Sequence, residues 1–84
     1  KAKIAKLNLN KIQNLISSKR INQDTKIDIE VLKKSKIINR SFSKIKILGS
    51  GEVKSKINLS VDFISKSAKE KLEKIGSTIN LKKK

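Results

Sequence analysis

Residues 44–76 read KIKILGSGEVKSKINLSVDFISKSAKEKLEKIG, and this stretch holds the features that decide the fold. Two of the chain's three glycines form one corner, Gly49-Ser50-Gly51, and the third, Gly76, follows a helix-like pattern. Apolar and polar residues alternate on both sides of the corner, which is typical of half-buried strands. The pattern predicts an inserted β-hairpin with strands at about 45–48 and 57–61, joined by a corner that needs glycine conformations.

A loose repeat extends this pattern over the whole chain. An alternating tripeptide, or a single Ile27, precedes a short helical pattern three times: 7–9 with 11–17, 27 with 29–35, and 61–63 with 67–75. A last strand is predicted at 78–81. The expected fold class is α+β, a small irregular superhelix of strand and helix units with a β-hairpin. It forms a single domain over 7–81, with basic tails at 1–6 and 82–84.

The helices carry start and stop signals. Asn10 and Asp28 are predicted to cap the first two helices, because short polar side chains accept hydrogen bonds from free backbone N–H groups. Ser67 and Glu70 have the spacing of a capping box for the third helix. Gly76 supplies the left-handed residue that ends it.

Charge is the strongest global signal. The chain has 22 basic and 7 acidic residues among 84, a net charge of +15. Such a charge repels itself and favours a polyanionic partner, which gains affinity by counterion release. Only Arg20 and Arg40 are arginine, so attraction to phosphates is favoured over base reading.

The residue types exclude several functions. Histidine and cysteine do not occur, so disulfides and Cys or His metal sites are excluded. The acidic residues have ordinary roles as caps or surface charges, and the sequence predicts no enzyme, no cofactor and no small-molecule substrate. Apolar runs are too short to span a bilayer, and the first residues have no signal-peptide core.

Basic residues flank the corner and the third helix. Lysines at alternating hairpin positions are expected to share one face, and a serine-rich helix start beside lysines is a ready anion site. Backbone N–H groups at the corner can also meet phosphates. With few aromatic residues for stacking, recognition of folded RNA by shape and phosphate fits best. The candidate contacts are Lys44, Lys46, Gly49, Gly51, Lys54, Lys56, Ser65, Lys66, Ser67 and Lys69.

A basic membrane-surface or antimicrobial-type module is the alternative from another class. It requires a long amphipathic helix with Trp or Phe on its apolar face. The predicted helices are short and capped, which argues against this alternative.

Two motifs resemble the uL15 family of bacterial ribosomal proteins. Residues 46–52, KILGSGE, resemble its KILG-G-E hairpin, and 65–71, SKSAKEK, resemble the start of its SKSAKEKIE helix. The resemblance implies the C-terminal globular part with an L15p/L18e-like fold, a structural constituent of the large ribosomal subunit. It implies large-subunit rRNA and neighbouring ribosomal proteins as partners, in a cytoplasmic or organellar ribosome. A related L18e-type protein remains an alternative.

The family's pattern also implies a glycine- and arginine-rich extension before Lys1. This chain departs from that pattern at three positions. Lys36 stands where the family usually has glycine, which costs roughly 1 kcal/mol if the site is left-handed. Asp62 stands where the family often has a basic or polar residue, so RNA contact there is not expected. Ser77 replaces the second of two glycines.

Overall fold

The fold alternates strands and helices along the chain. The computed structural model describes residues 3–22 and 24–82. The mixed fold class and the final strand are confirmed, and the first strand begins within the stretch expected to be a tail. Lys1, Ala2, Lys83 and Lys84, predicted as tail residues, lie outside the described residues. The elements are β1 (Ile4–Asn8), α1 (Leu9–Ser17), α2 (Ile29–Lys34), β2 (Lys44–Leu48), β3 (Asn58–Val61), β4 (Phe63–Ile64), α3 (Lys66–Lys74) and β5 (Thr78–Leu81).

The predicted β-hairpin is wrong, because β2 and β3 belong to different sheets. β2 lies between β1 and β4 in one sheet, and β3 pairs with β5 in the other. Each of these pairings is parallel, and Ile27 adds a parallel bridge to Leu59. Parallel neighbours need long crossover connections rather than a tight turn. Alternation identifies a half-buried strand, but it does not specify the strand's partner.

One aliphatic core joins both sheets and all three helices. β2 contributes Ile45 and Ile47, and β3 contributes Leu59 and Val61, each from alternating positions. Among the described residues, no polar or charged residue is buried. The large side chains that are fully buried are Leu9, Ile12, Ile27, Leu32, Ile45, Ile47, Leu59, Leu72 and Val61.

The first two helices begin at side-chain caps. The prediction for Asp28 is confirmed, since its Oδ1 accepts a hydrogen bond from the backbone N–H of Val31 at 3.0 Å. The cap of α1 is Asn8 rather than the predicted Asn10. Starting the helix at Asn8 places Leu9 inside its first turn, where the leucine is fully buried.

All three helices end in the same hydrogen-bonded turn. A left-handed residue follows each helix: Lys19 with φ 65°, Lys36 with φ 60° and Gly76 with φ 82°. The prediction for Gly76 is confirmed, the condition stated for Lys36 is met, and Lys19 was not anticipated. A lysine in this conformation costs roughly 1 kcal/mol relative to glycine. Just beyond, backbone N–H groups donate to leucine carbonyls: Arg20 to Leu15 at 2.9 Å, Ile37 to Leu32 at 2.9 Å and Ser77 to Leu72 at 3.0 Å.

Two polar side chains tie neighbouring segments together. Asp62 separates β3 from β4, where the chain passes from one sheet to the other. Its Oδ2 accepts a hydrogen bond from the Ile45 N–H at 2.9 Å, and its own N–H donates to the Ile45 carbonyl at 3.1 Å. The Ser77 hydroxyl accepts from the Ile57 N–H at 3.1 Å. Both departures from the family's pattern therefore have a structural role here.

Candidate nucleic-acid interface

The glycine corner packs against the first turn of α3. A Cβ at Gly49 would lie 2.8 Å from the backbone nitrogen of Ala68 and would overlap the hydroxyl of Ser67. Gly49 is thus required by close approach and not by a positive φ. Gly51 does have a positive φ, 84°, and it faces the side chain of Asn10. The corner therefore needs glycine at two positions for two different reasons.

The serines at the start of α3 shape this end of the helix. Ser65 is the cap, and its Oγ accepts a hydrogen bond from the Ala68 N–H at 3.3 Å. The capping box predicted at Ser67 with Glu70 is wrong, because Ser67 already lies inside the helix. Its hydroxyl is 3.4 Å from that of Ser65 and contacts Gly49. Both serines thus position the corner against α3.

Lys71 holds the corner from α3, and sequence reasoning missed it. Its Nζ donates hydrogen bonds to the carbonyls of Gly49 and Gly51, both at 2.8 Å. The sequence does place Lys71 on α3 next to the buried residues Ala68 and Leu72, and this position could have indicated a lysine that contacts the neighbouring segment. Lys71 therefore stabilises the corner, while its ammonium group stays exposed and positively charged.

A cationic face lies on the outer side of the three-stranded sheet. Lys44 and Lys46 on β2 alternate with buried residues, so they point away from the core. The register sets Lys6 of β1 and Phe63 of β4 on either side of Lys46. Phe63 is 41% exposed, and Lys44 Nζ lies 5.8 Å from its ring centroid. We call these four residues the sheet face; Lys6 was missed because the pairing of β1 with β2 is not local.

Lys54 and Lys56 lie in the loop between β2 and β3, so the hairpin face predicted for four lysines does not form. The backbone N–H of Lys54 donates to Gln13 Oε1 at 2.8 Å. A Cβ at Gly76 would lie 3.2 Å from Lys56 Cε, which places Lys56 beside the C-terminal end of α3. That end is about 14 Å from Ser65 for a helix of nine residues.

The remaining candidates are exposed on α3. Lys69 shares a recess with Ile64, Ile79 and Glu73, and the carboxylate of Glu73 reduces the positive charge there. Lys66 is exposed beside the cap. The structure therefore brings Gly49, Ser65, Lys66, Ser67 and Lys69 together at one end of α3, with Gly51 in the adjoining corner, Lys44 and Lys46 on the sheet face, and Lys54 and Lys56 apart from both.

The described ranges offer little for other functions. Within 3–22 and 24–82, no cluster of acidic side chains is arranged to hold a metal ion, and no helix is long and apolar enough to cross a membrane. The helices have nine, six and nine residues. None of them is the long amphipathic helix that the membrane-surface alternative requires.

Comparison with known proteins identifies the family. Residues 6–80 match the profile described as the ribosomal proteins 50S-L15 and 50S-L18e and their 60S counterpart. The chain is 56% identical over 82 residues to large ribosomal subunit protein uL15 of Pelagibacter ubique, which covers 98% of this chain and 54% of that protein. It is 37% identical over 79 residues to uL15 of Phenylobacterium zucineum, and this match covers 94% of the chain and 48% of that protein. It is 32% identical over 81 residues to uL15 of Afipia carboxidovorans, and this match covers 96% of the chain and 50% of that protein.

The chain spans about half the length of the curated relatives it matches. The matches nevertheless cover nearly all of this chain, including the corner and α3. The resemblance to uL15 is therefore confirmed, and the chain belongs to the ribosomal protein family that comprises 50S-L15, 50S-L18e and their 60S counterpart.

Proposed function

We propose that the chain is a structural part of the large ribosomal subunit that binds large-subunit rRNA. The observation that carries the proposal is its 56% identity, over 98% of its length, to a protein named for that subunit. The relatives compared above are all named uL15, which favours the uL15 type over the L18e type. The chain would correspond to the C-terminal globular part, with neighbouring ribosomal proteins as further partners.

The distribution of charge supports RNA as the partner. Asp28 and Asp62 bind backbone N–H groups, so two of the few carboxylates serve the fold. Lysines dominate the surface, and the core holds no charge among the described residues. A surface of this kind attracts a phosphate backbone through its overall field and through counterion release.

Three surfaces are the proposed contacts for phosphates. At the start of α3, Lys66 and Lys69 supply charge, and the corner together with Ser65 and Ser67 shapes the surface that an RNA backbone would approach. On the sheet face, Lys44, Lys46 and Lys6 supply charge, and exposed Phe63 offers a ring for a base. Lys54 and Lys56 form a third, separate contact in the β2–β3 loop.

Competition binding tests the proposal. The chain is titrated with labelled large-subunit rRNA of Pelagibacter ubique, the organism of the first relative described above, with small-subunit rRNA as competitor. The proposal predicts that excess small-subunit rRNA displaces the chain poorly and that affinity falls steeply with salt. Equal competition by both RNAs would show only unspecific attraction and would refute a dedicated large-subunit role.

A further inference from the structure

A further cationic surface lies at the end of α2 and in the segment that leads to β2, outside the candidate residues described so far. The end of α2 and the segment after it enclose an open groove of about 480 Å³. An adjoining recess shares three of its basic residues and adds Glu30. We call this surface the α2 groove. It is lined by Lys33, Lys34, Lys36, Ile37, Ile38, Asn39 and Arg40.

The cations of the α2 groove have no partner within the described part of the chain. Over residues 3–22 and 24–82, no hydrogen bond or ion pair links the charged groups of Lys33, Lys34, Lys36 or Arg40 to another side chain or carbonyl. By contrast, the Arg20 guanidinium donates to the carbonyl of Ser35, next to Lys36, at 3.2 Å. Glu30 in the adjoining recess offsets only part of this charge. The remaining excess of like charges destabilises the isolated fold, and an anionic ligand reduces that cost.

Lys36 has a left-handed backbone at the end of α2. Its φ of 60° suits glycine, so the turn itself does not require a lysine. A cation near a helix C-terminus also gains from the helix dipole. That gain explains Lys19, because α1 has no basic residue in its last turn. Lys36 likewise follows α2, whose last turn already carries Lys33 and Lys34, so three lysines gather at this helix end.

We propose that Lys33, Lys34, Lys36 and Arg40 form a further phosphate-binding surface for RNA, separate from the start of α3, the sheet face and the β2–β3 loop. The proposal rests on the proposed function, since it assigns another contact to the same partner. Arg40 provides a planar fork suited to phosphate oxygens, and the lysines provide point charges. The apolar residues of the groove, Ile37 and Ile38, are half-buried against the core, which leaves little apolar surface for a membrane or a protein.

The test compares Lys36→Gly with Lys19→Gly. Both variants lose one positive charge, and in both a glycine replaces a lysine with positive φ. The two are therefore matched in charge and in the conformational strain that the substitution removes. Binding to large-subunit rRNA is measured between 0.05 and 0.5 M salt, on the order of the range used for counterion analysis. We expect Lys36→Gly to lower affinity about fivefold near 0.1 M salt and to reduce the salt slope by roughly 0.7–0.9. Lys19→Gly should stay within about twofold of the parent.

A combined variant, Lys34→Gln with Lys36→Gly and Arg40→Gln, should reduce the salt slope by about 2–3. Thermal melts of each variant separate binding from folding, because Lys36→Gly should melt no lower than the parent. Equal affinity of the combined variant and the parent for rRNA would overturn the proposal that the α2 groove binds RNA. So would a loss confined to binding of anionic phosphatidylglycerol vesicles. Failure of the parent chain to prefer large-subunit rRNA is a different result, and it would overturn the proposed function instead.

Discussion

Replacing Gly49 with alanine tests whether the corner is a packed joint. The added methyl would lie 2.8 Å from the Ala68 nitrogen and would overlap the Ser67 hydroxyl. Since φ at Gly49 is not positive, the cost is steric and not conformational. Overpacking of this kind costs about 1–3 kcal/mol, and contact with backbone places Gly49→Ala near the upper end. Ser67→Ala alone should cost less than about 0.5 kcal/mol, because Ser65 is the cap.

The double variant Gly49→Ala with Ser67→Ala removes the overlap with the Ser67 hydroxyl, which is one of three close contacts. We expect it to regain about 1 kcal/mol relative to Gly49→Ala, because the contacts with the Ala68 nitrogen and with the Cβ of residue 67 remain. Urea unfolding followed by far-UV circular dichroism measures these free energies, as the chain has no Trp or Tyr for fluorescence. Ser50→Ala is the control for an exposed corner position. Parent-like stability of Gly49→Ala, or additive effects in the double variant, would refute the close packing of the corner on α3.

Three further substitutions test other parts of the account. Asp62→Ala should lower the free energy of unfolding by about 1.5–3 kcal/mol, because the Ile45 N–H loses a carboxylate acceptor, and Asp62→Asn should recover most of the loss; equal effects of the two would contradict this role. Lys71→Met should lower the free energy of unfolding in urea by about 0.5–1 kcal/mol, because the carbonyls of Gly49 and Gly51 lose their donor; the value is small because the contact is exposed to solvent. No measurable loss would contradict the role of Lys71 in holding the corner. Lys54→Glu with Lys56→Glu should weaken rRNA association and flatten its salt dependence with little change in the melting temperature; unchanged binding would remove this loop from the interface.

Local signals in the sequence were sufficient for much of the fold. Asp28 and Gly76 act at the helix ends where the sequence predicted them, and β5 occupies the predicted residues. These features depend on short-range hydrogen bonds and backbone preferences. The choice between Asn8 and Asn10 as a cap is different, because both have the same chemistry. Burial of Leu9 decides it, and burial depends on the whole core.

The site was less predictable because it depends on contacts between distant segments. Parallel pairing of β2 with β1 and β4 replaced the hairpin, and it brought Lys6 and Phe63 beside Lys46. The contact of Lys71 with the corner likewise joins α3 to the segment after β2. The α2 groove forms only when the segment that ends at Arg40 folds beside α2. Periodicity reports which face of an element is buried, but it does not report which element lies opposite.

Sedimentation with ribosomal subunits tests the central claim most directly. An affinity-tagged form of the chain is produced in bacterial cells, and the extract is separated on sucrose gradients at low and at high salt, with the combined α2 groove variant in parallel. The account predicts that the parent chain migrates with the large subunit and not with the small one, and that the variant is released at lower salt. Equal distribution between the two subunits, or migration only with unbound protein, would contradict the account.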